Sequence, residues 1–274
     1  MLTENNYLTK LASLEFYTEG PAIDTAGNIY FTTLSGGSIM KLDSHGALSE
    51  WARTACPNGQ IILENGDHLV CDSKLGKVLR FSEEGNFIRD ESHETCAGVK
   101  VHVPNDLLVD SRGNLYFTDS IRHTGSVFFI GANGDEHLIE TGLDYPNGLK
   151  LSNDGSVLYV AESYKNRIIK IRLNSTGYSI GCYEVFIDLP TNSSGEAIGN
   201  LPDGIDINKQ GMMAIAHYGM QAVQLVSADG DLITSIDTNL PCTSNVYFEN
   251  DNTLLVTGGY AEPGPGAVMK LKIN

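Results

Sequence analysis

Six short segments of this sequence place an oxygen-bearing side chain at one point of a recurring pattern: Glu19-Gly-Pro, Pro57-Asn-Gly, Pro104-Asn-Asp, Pro146-Asn-Gly, Pro202-Asp-Gly and Thr243-Ser-Asn. Read in order they offer Glu19, Asn58, Asn105 with Asp106, Asn147, Asp203, and Ser244 with Asn245. Cysteine is absent from the set, and no histidine recurs in it. Hard oxygen donors without sulfur or imidazole suit Ca²⁺ or Mg²⁺ and, less tightly, Mn²⁺. Taken alone, each segment is also an ordinary turn, because Asn, Asp, Pro and Gly commonly precede a strand. The variation argues for more: a turn signal does not need Glu in one copy, Asn in three and Asp in another. One divalent metal ion is therefore expected where the six meet, Ca²⁺ first, with Mg²⁺, Mn²⁺ or Zn²⁺ as further candidates.

A repeat is what brings them together. After each opening comes an apolar strand and then a turn, as in Asp24-x-x-Gly27-Asn, Asn65-Gly66-Asp, Asp110-x-x-Gly113-Asn, Asn153-Asp-Gly155 and Asn208-x-x-Gly211. Gly, Asn and Asp supply the positive φ that hairpin turns need. A second strand rich in Tyr, Phe, Val and Leu follows, such as Ile29-Tyr-Phe-Thr, Leu115-Tyr-Phe-Thr or Leu158-Tyr-Val-Ala, then a third and a weaker fourth. Four short antiparallel strands per unit, recurring at roughly 40 to 50 residues, mark the blades of a propeller. The sequence thus predicts an all-β, six-bladed β-propeller, a single domain over 1–274, with the opening residues lining its central channel. A strand over Leu11 to Tyr17 is expected to pair with C-terminal strands at Leu254–Thr257 and Ala267–Ile273, so that the two chain ends close the ring and leave no open edge.

Composition narrows the function. A net charge of −16 argues against nucleic-acid binding, which requires basic patches for the phosphate backbone. Apolar runs such as Ile61–Leu63 fall far short of the roughly 20 residues of a membrane span. The five cysteines form no C-x-x-C pair and read as reduced thiols; with an N-terminus that lacks a basic-then-apolar leader, this favours a cytoplasmic enzyme. Asn174-Ser-Thr and Asn192-Ser-Ser match the glycosylation triplet, which matters only in a secretory compartment. Serine-nucleophile, zincin, phosphate-loop and dinucleotide motifs are all absent. The partner expected is a small-molecule substrate, with oligomeric state left open.

The run Glu19-Gly-Pro, Pro104-Asn-Asp-Leu-Leu-Val-Asp with Gly113-Asn-Leu-Tyr-Phe-Thr-Asp119, Pro146-Asn-Gly-Leu with Leu158-Tyr-Val-Ala-Glu162-Ser, Leu201-Pro-Asp-Gly-Ile and Ala216-His-Tyr-Gly219 resembles the SMP30/gluconolactonase/luciferin-regenerating-enzyme family, which also includes diisopropyl fluorophosphatase relatives. The resemblance covers nearly the whole chain. It implies a Ca²⁺-type ion held by Glu19, Asn147 and Asp203, with Asn105 as a fourth ligand or a substrate contact, and an enzyme that opens a lactone. One departure bears on the substrate: sugar-lactone members often carry Arg two residues before the equivalent of Asn105, where this chain has Val103. A polyhydroxylated sugar lactone is thereby less implied than a lactone in general.

On this reading Asp203 is the candidate catalytic group, as general base or as nucleophile, and Asn105 and Asp106 orient the substrate. Phosphotriester hydrolysis, a lyase or isomerase reaction, and a non-catalytic propeller pinned by Ca²⁺ are the alternatives. His217 is expected to be a packed residue more than a catalytic one. Asp119 and Glu162 read as structural hydrogen-bonding groups, and Trp51 as outer-strand packing.

Overall fold

The computed structural model describes residues 7–192 and 199–273. The first six residues of the polar lead-in, and the two serines of Asn192-Ser-Ser, lie outside them. The described chain forms six four-stranded antiparallel sheets arranged as the blades of one ring, confirming the six-bladed propeller. The innermost strands are Thr18–Ile23, Pro57–Ile62, Pro104–Val109, Pro146–Leu151, Leu201–Ile207 and Cys242–Asn250, each opening on the segment picked out in the sequence.

Each blade builds outward by tight hairpins. In blade one Thr18–Ile23 is followed by Ile29–Thr33, Ser38–Leu42 and Leu48–Arg53. Its first turn closes because Asp24 Oδ1 accepts from the backbone N–H groups of Ala26 and Asn28 at 2.9 and 2.8 Å, while Gly27 takes φ 82°. Asp110 does the same for Arg112 and Asn114, and Asn208 for Gln210 and Met212.

The ring is held by apolar clusters, one at each junction between neighbouring blades. Phe117 and Phe128 of blade three meet Leu69 and Val78 of blade two, and Tyr116 and Phe129 meet Leu158 and Ile169 of blade four. Met213 and Ile215 close on Ala161 and Ile168, and Val223 and Leu225 on Val256 and Leu254. Val70 and Leu79 pack under Ile39, and Phe31 on Leu255 and Val268. Alternating side chains of a strand face opposite neighbours, so every blade seals two junctions at once.

Blade six is completed from the other end of the chain. Cys242–Asn250, Thr253–Gly259 and Gly266–Lys272 are followed in the sheet by Tyr7–Leu14, which pairs from Tyr7 opposite Lys272 to Leu14 opposite Gly266. The closing strand is thus found four residues earlier than Leu11. Its partner runs on to Lys272 and draws it N-terminally, while Tyr17 is taken by a different contact, its N–H donating to the Pro263 carbonyl at 2.8 Å. No helix among the described residues is long and apolar enough to cross a membrane. All five cysteines are free thiols, and Cys71, Cys96 and Cys242 are buried.

Candidate active site

Asn58, Asn105, Asn147 and Asp203 occupy the second or third position of their inner strands, and Glu19 the second of its own. Their side chains line one cavity of about 330 Å³ at one mouth of the channel, a size that suits a small molecule. Its walls also include Tyr17, Tyr145, Tyr164 and Tyr218, together with Leu34, Leu201, Ser163 and Glu262.

Glycine explains why the inner strands can converge so closely. A Cβ on Gly59 would come within 2.3 Å of Asp106 Oδ1, and one on Gly204 within 2.0 Å of Asn245 Oδ1. Only hydrogen fits there. In blades three and six the same position carries Asp106 and Asn245, and the Asn245 amide favours the ionised form of the Asp106 carboxyl. They line a second cavity of about 200 Å³ beyond the convergence, alongside Gln60, Lys150 and Asp206. Asp106 is therefore not beside Asn105 on the wall of the first cavity, contrary to the expectation that the pair orients a substrate together. One step along a strand reverses the direction of the side chain.

Burial governs the electrostatics. Glu19 is 4% and Asp203 8% exposed. Burial pushes the Glu19 carboxyl up to about 8, assisted by the charge of Asp106 and opposed by hydrogen bonds from the Gly20 N–H and from Asn245 Nδ2 at 3.1 Å. Asp203 is driven well above the usual carboxylate range by burial first, then by Glu19, Asp106 and Glu262, with the Asn147 amide opposing. Burial also raises Asp106 to about 6. Tyr17 rises well above its ordinary value through burial and then the charges of Asp203 and Glu19, so its hydroxyl stays protonated.

Two serines orient the amides. Ser73 Oγ accepts from Asn58 Nδ2 at 3.2 Å and donates to the Pro104 carbonyl; Ser163 Oγ accepts from Asn147 Nδ2 at 3.5 Å and donates to the Pro202 carbonyl at 2.7 Å. The buried Asn58 Oδ1 is left with no hydrogen-bond partner. Two buried carboxylates biased toward the proton-bound form and an unsatisfied amide oxygen fit a hard divalent cation, which would supply the missing positive charge. Among the described residues no three of His, Cys, Asp and Glu are grouped to hold a metal, so the neutral oxygens of a site here must come from asparagines.

Other expected residues fall outside the cavity. His217 is fully buried, its Nε2 against Asn166 Oδ1 at 2.9 Å and its Nδ1 against Gln224 Nε2 at 3.2 Å, and burial lowers it to about 4. Asp119 Oδ1 accepts from the backbone of His102 and Val103, and Glu162 from the Asp144 N–H and Arg167 Nε. Trp51 packs in the outer part of blade one against Tyr30 and against His68 and Phe81 of blade two. Tyr17, Tyr145, Tyr164 and Glu262 escaped the sequence reading, because they sit in connections that follow no repeat, whereas Tyr218 ends the strand Met213–Tyr218 within the Ala216-His-Tyr-Gly219 motif.

A six-bladed propeller with a polar, acid-lined cavity at one mouth defines a class in which the ring is scaffold and the inner strands carry the site. A family model described as the SMP-30/Gluconolactonase/LRE-like region matches residues 17–259, and the chain belongs to this family. It is 28% identical to a gluconolactonase of Zymomonas mobilis over 231 residues, 74% of this chain and 61% of that protein, so it spans about three fifths of that relative's length. It is 25% identical to the lactonase drp35 of Staphylococcus aureus over 270 residues, 92% of this chain and 81% of that one. Among solved structures, a Xanthomonas campestris gluconolactonase superposes with a TM-score of 0.83 at 22% identity, covering 97% of this chain and 89% of the other. At these identities the structural likeness speaks for the fold.

Proposed function

We propose that the protein is a metal-dependent lactonase whose ion, Ca²⁺ in the first instance, is held by Glu19, Asn147 and Asp203. The observation that carries this is the pairing, in one substrate-sized cavity, of two buried carboxylates short of positive charge with an unpartnered amide oxygen. Lactonase names among relatives that align over most of this chain support the reaction class.

A divalent ion bound there polarises a carbonyl oxygen and lowers the pKa of water. Asp203 would take the proton of the attacking water as general base, which requires its ionised form; the Asn147 amide favours that form. Asn105 would donate to or accept from the ring substituents of the lactone. Protonated Tyr17 would offer a hydrogen bond from the wall, and with Tyr145, Tyr164 and Tyr218 it would keep bulk water from the reacting face. Asp106, from its place beyond the convergence, would act on Glu19 through its charge.

The test is a panel of lactones and phosphotriesters, assayed on EDTA-treated protein and after adding back Ca²⁺, Mg²⁺, Mn²⁺ or Zn²⁺. Metal-dependent lactone turnover is expected. Its absence with every metal sinks the proposal, and product formed without label from ¹⁸O-water points to a lyase or isomerase.

A further inference from the structure

Glu262 differs from the other carboxylates of the cavity. Glu19 and Asp203 are buried at its base, whereas Glu262 is exposed on the connection between Thr253–Gly259 and Gly266–Lys272. That connection is docked. The Pro263 carbonyl accepts from the Tyr17 N–H at 2.8 Å, the Pro265 carbonyl from the Tyr260 N–H at 2.9 Å, and a Cβ on Gly264 would come within 2.0 Å of the Glu15 carbonyl oxygen. Tyr218 lines the same cavity, and the Glu262 carboxylate helps to raise its hydroxyl above the ordinary value, after burial and Cys242.

Around Glu262 the mouth is aromatic. Tyr17 and Tyr218 meet edge to face with ring centroids 6.3 Å apart, and Tyr145 and Tyr164 at 5.6 Å. The described lining contains no Lys, Arg or His. Arg122 stacks 3.5 Å over the Tyr164 ring and is already engaged, its Nε donating to Asp144 Oδ1 at 2.6 Å. A cation entering this mouth meets the Glu262 carboxylate and several ring faces, the combination that attracts ammonium groups, whereas an anion is repelled by Glu262 at the rim.

We propose that Glu262 is the specificity-determining residue of this cavity and that it selects lactones bearing an ammonium substituent. This rests on the lactonase reading of the site.

The probes are a γ-lactone carrying a trimethylammonium group and its uncharged tert-butyl isostere, which differ in charge and hardly in shape. Wild type should favour the ammonium lactone in kcat/KM by about 3- to 5-fold, the size expected of an exposed ion pair. Glu262→Gln should abolish the preference, read as the ratio of the two lactones within each protein so that any common change through Asp203 cancels, Glu262→Lys should invert it, and 1 M salt should shrink it in wild type. An equal ratio in wild type and Glu262→Gln overturns the assignment. Should neither lactone turn over, the lactonase reading is decided separately by the lactone panel, and the same ratio is then read as binding by calorimetry: a preference lost in Glu262→Gln upholds the role of Glu262, and one absent or retained overturns it.

Discussion

Asn245 of blade six donates through Nδ2 to Glu19 Oε2 of blade one at 3.1 Å, and its amide also favours the ionised form of Asp106 in blade three. Asn245 and Asp106 stand where the four other blades have glycine, and both line the cavity beyond the convergence. One amide therefore moderates two carboxylates, of which Asp106 raises the proton affinity of Glu19. On the far side Lys150 pairs with Asp206 at 2.7 Å, and its charge offsets that of Asp106.

Asn245→Ala should therefore destabilise the EDTA-treated protein by about 1 to 3 kcal/mol, the range for leaving a buried polar group without its partner. Saturating Ca²⁺ should recover part of that loss, since a cation beside Glu19 replaces what the amide supplied. Urea unfolding with and without Ca²⁺ measures both terms. An equal loss in the two conditions would mean that the ion does not touch Glu19.

Asp203→Asn keeps shape and removes the charge. Loss of a general base lowers kcat by about 10² to 10⁴-fold. The fold should persist, and the thermal midpoint in EDTA should stay level or rise, because a buried acid whose ionised form burial and Glu19 disfavour has been replaced by a neutral amide. Steady-state kinetics and a melting curve decide this together; turnover within tenfold of wild type removes Asp203 from the mechanism.

Most of the ring could be read in the sequence, since each inner strand repeats one pattern and each turn uses one Asp or Asn to cap its backbone. Glu19, Asn105, Asn147 and Asp203 were legible for the same reason. Asp106 was not, because the sequence places it next to Asn105 while the pleat turns it through the convergence into the other cavity. Glu262, Tyr145 and Tyr164 reach the site from connections whose course depends on packing between distant segments, such as Pro263 on Tyr17. Such contacts leave no periodic trace. The serines form an intermediate case: Asp72-Ser73, Asp119-Ser120 and Glu162-Ser163 recur visibly, but only the structure relates each hydroxyl to the proline carbonyl of the next blade.

That clasp makes a prediction of its own. Ser163→Ala leaves the Pro202 carbonyl and Asn147 Nδ2 without their partner, beside two proposed ligands. Stability should fall by about 1 to 3 kcal/mol, and turnover by on the order of 10-fold, because small displacements of positioned groups are costly. Ser73→Ala breaks the equivalent clasp to Pro104 next to Asn58, so it should match the stability loss with a smaller kinetic effect. Denaturant titrations and kcat for the two variants separate the contributions; equal kinetic losses would argue that the serines act through the ring as a whole.

His68 and His217 set a dependence on pH. Burial lowers each to about 4, and each lies in a close-packed setting, His68 stacked 4.1 Å from Trp51 and His217 between Asn166 and Gln224. In the unfolded chain both titrate near 6.5. Between about pH 6.5 and 4 the unfolded state thus binds protons that the folded state refuses, so stability present above pH 6.5 is lost as the pH falls, by up to about 1.4 kcal/mol per unit for each histidine. Glu19, raised to about 8, acts with the opposite sign in the metal-free protein, so the clean measurement is the difference between wild type and His217→Gln. Unfolding free energies at pH 7 and pH 5 should fall more in wild type than in the variant, by about 1 to 2 kcal/mol for the single histidine. Parallel pH profiles would show that His217 is protonated inside the fold, and that the Asn166 and Gln224 contacts accommodate its charge.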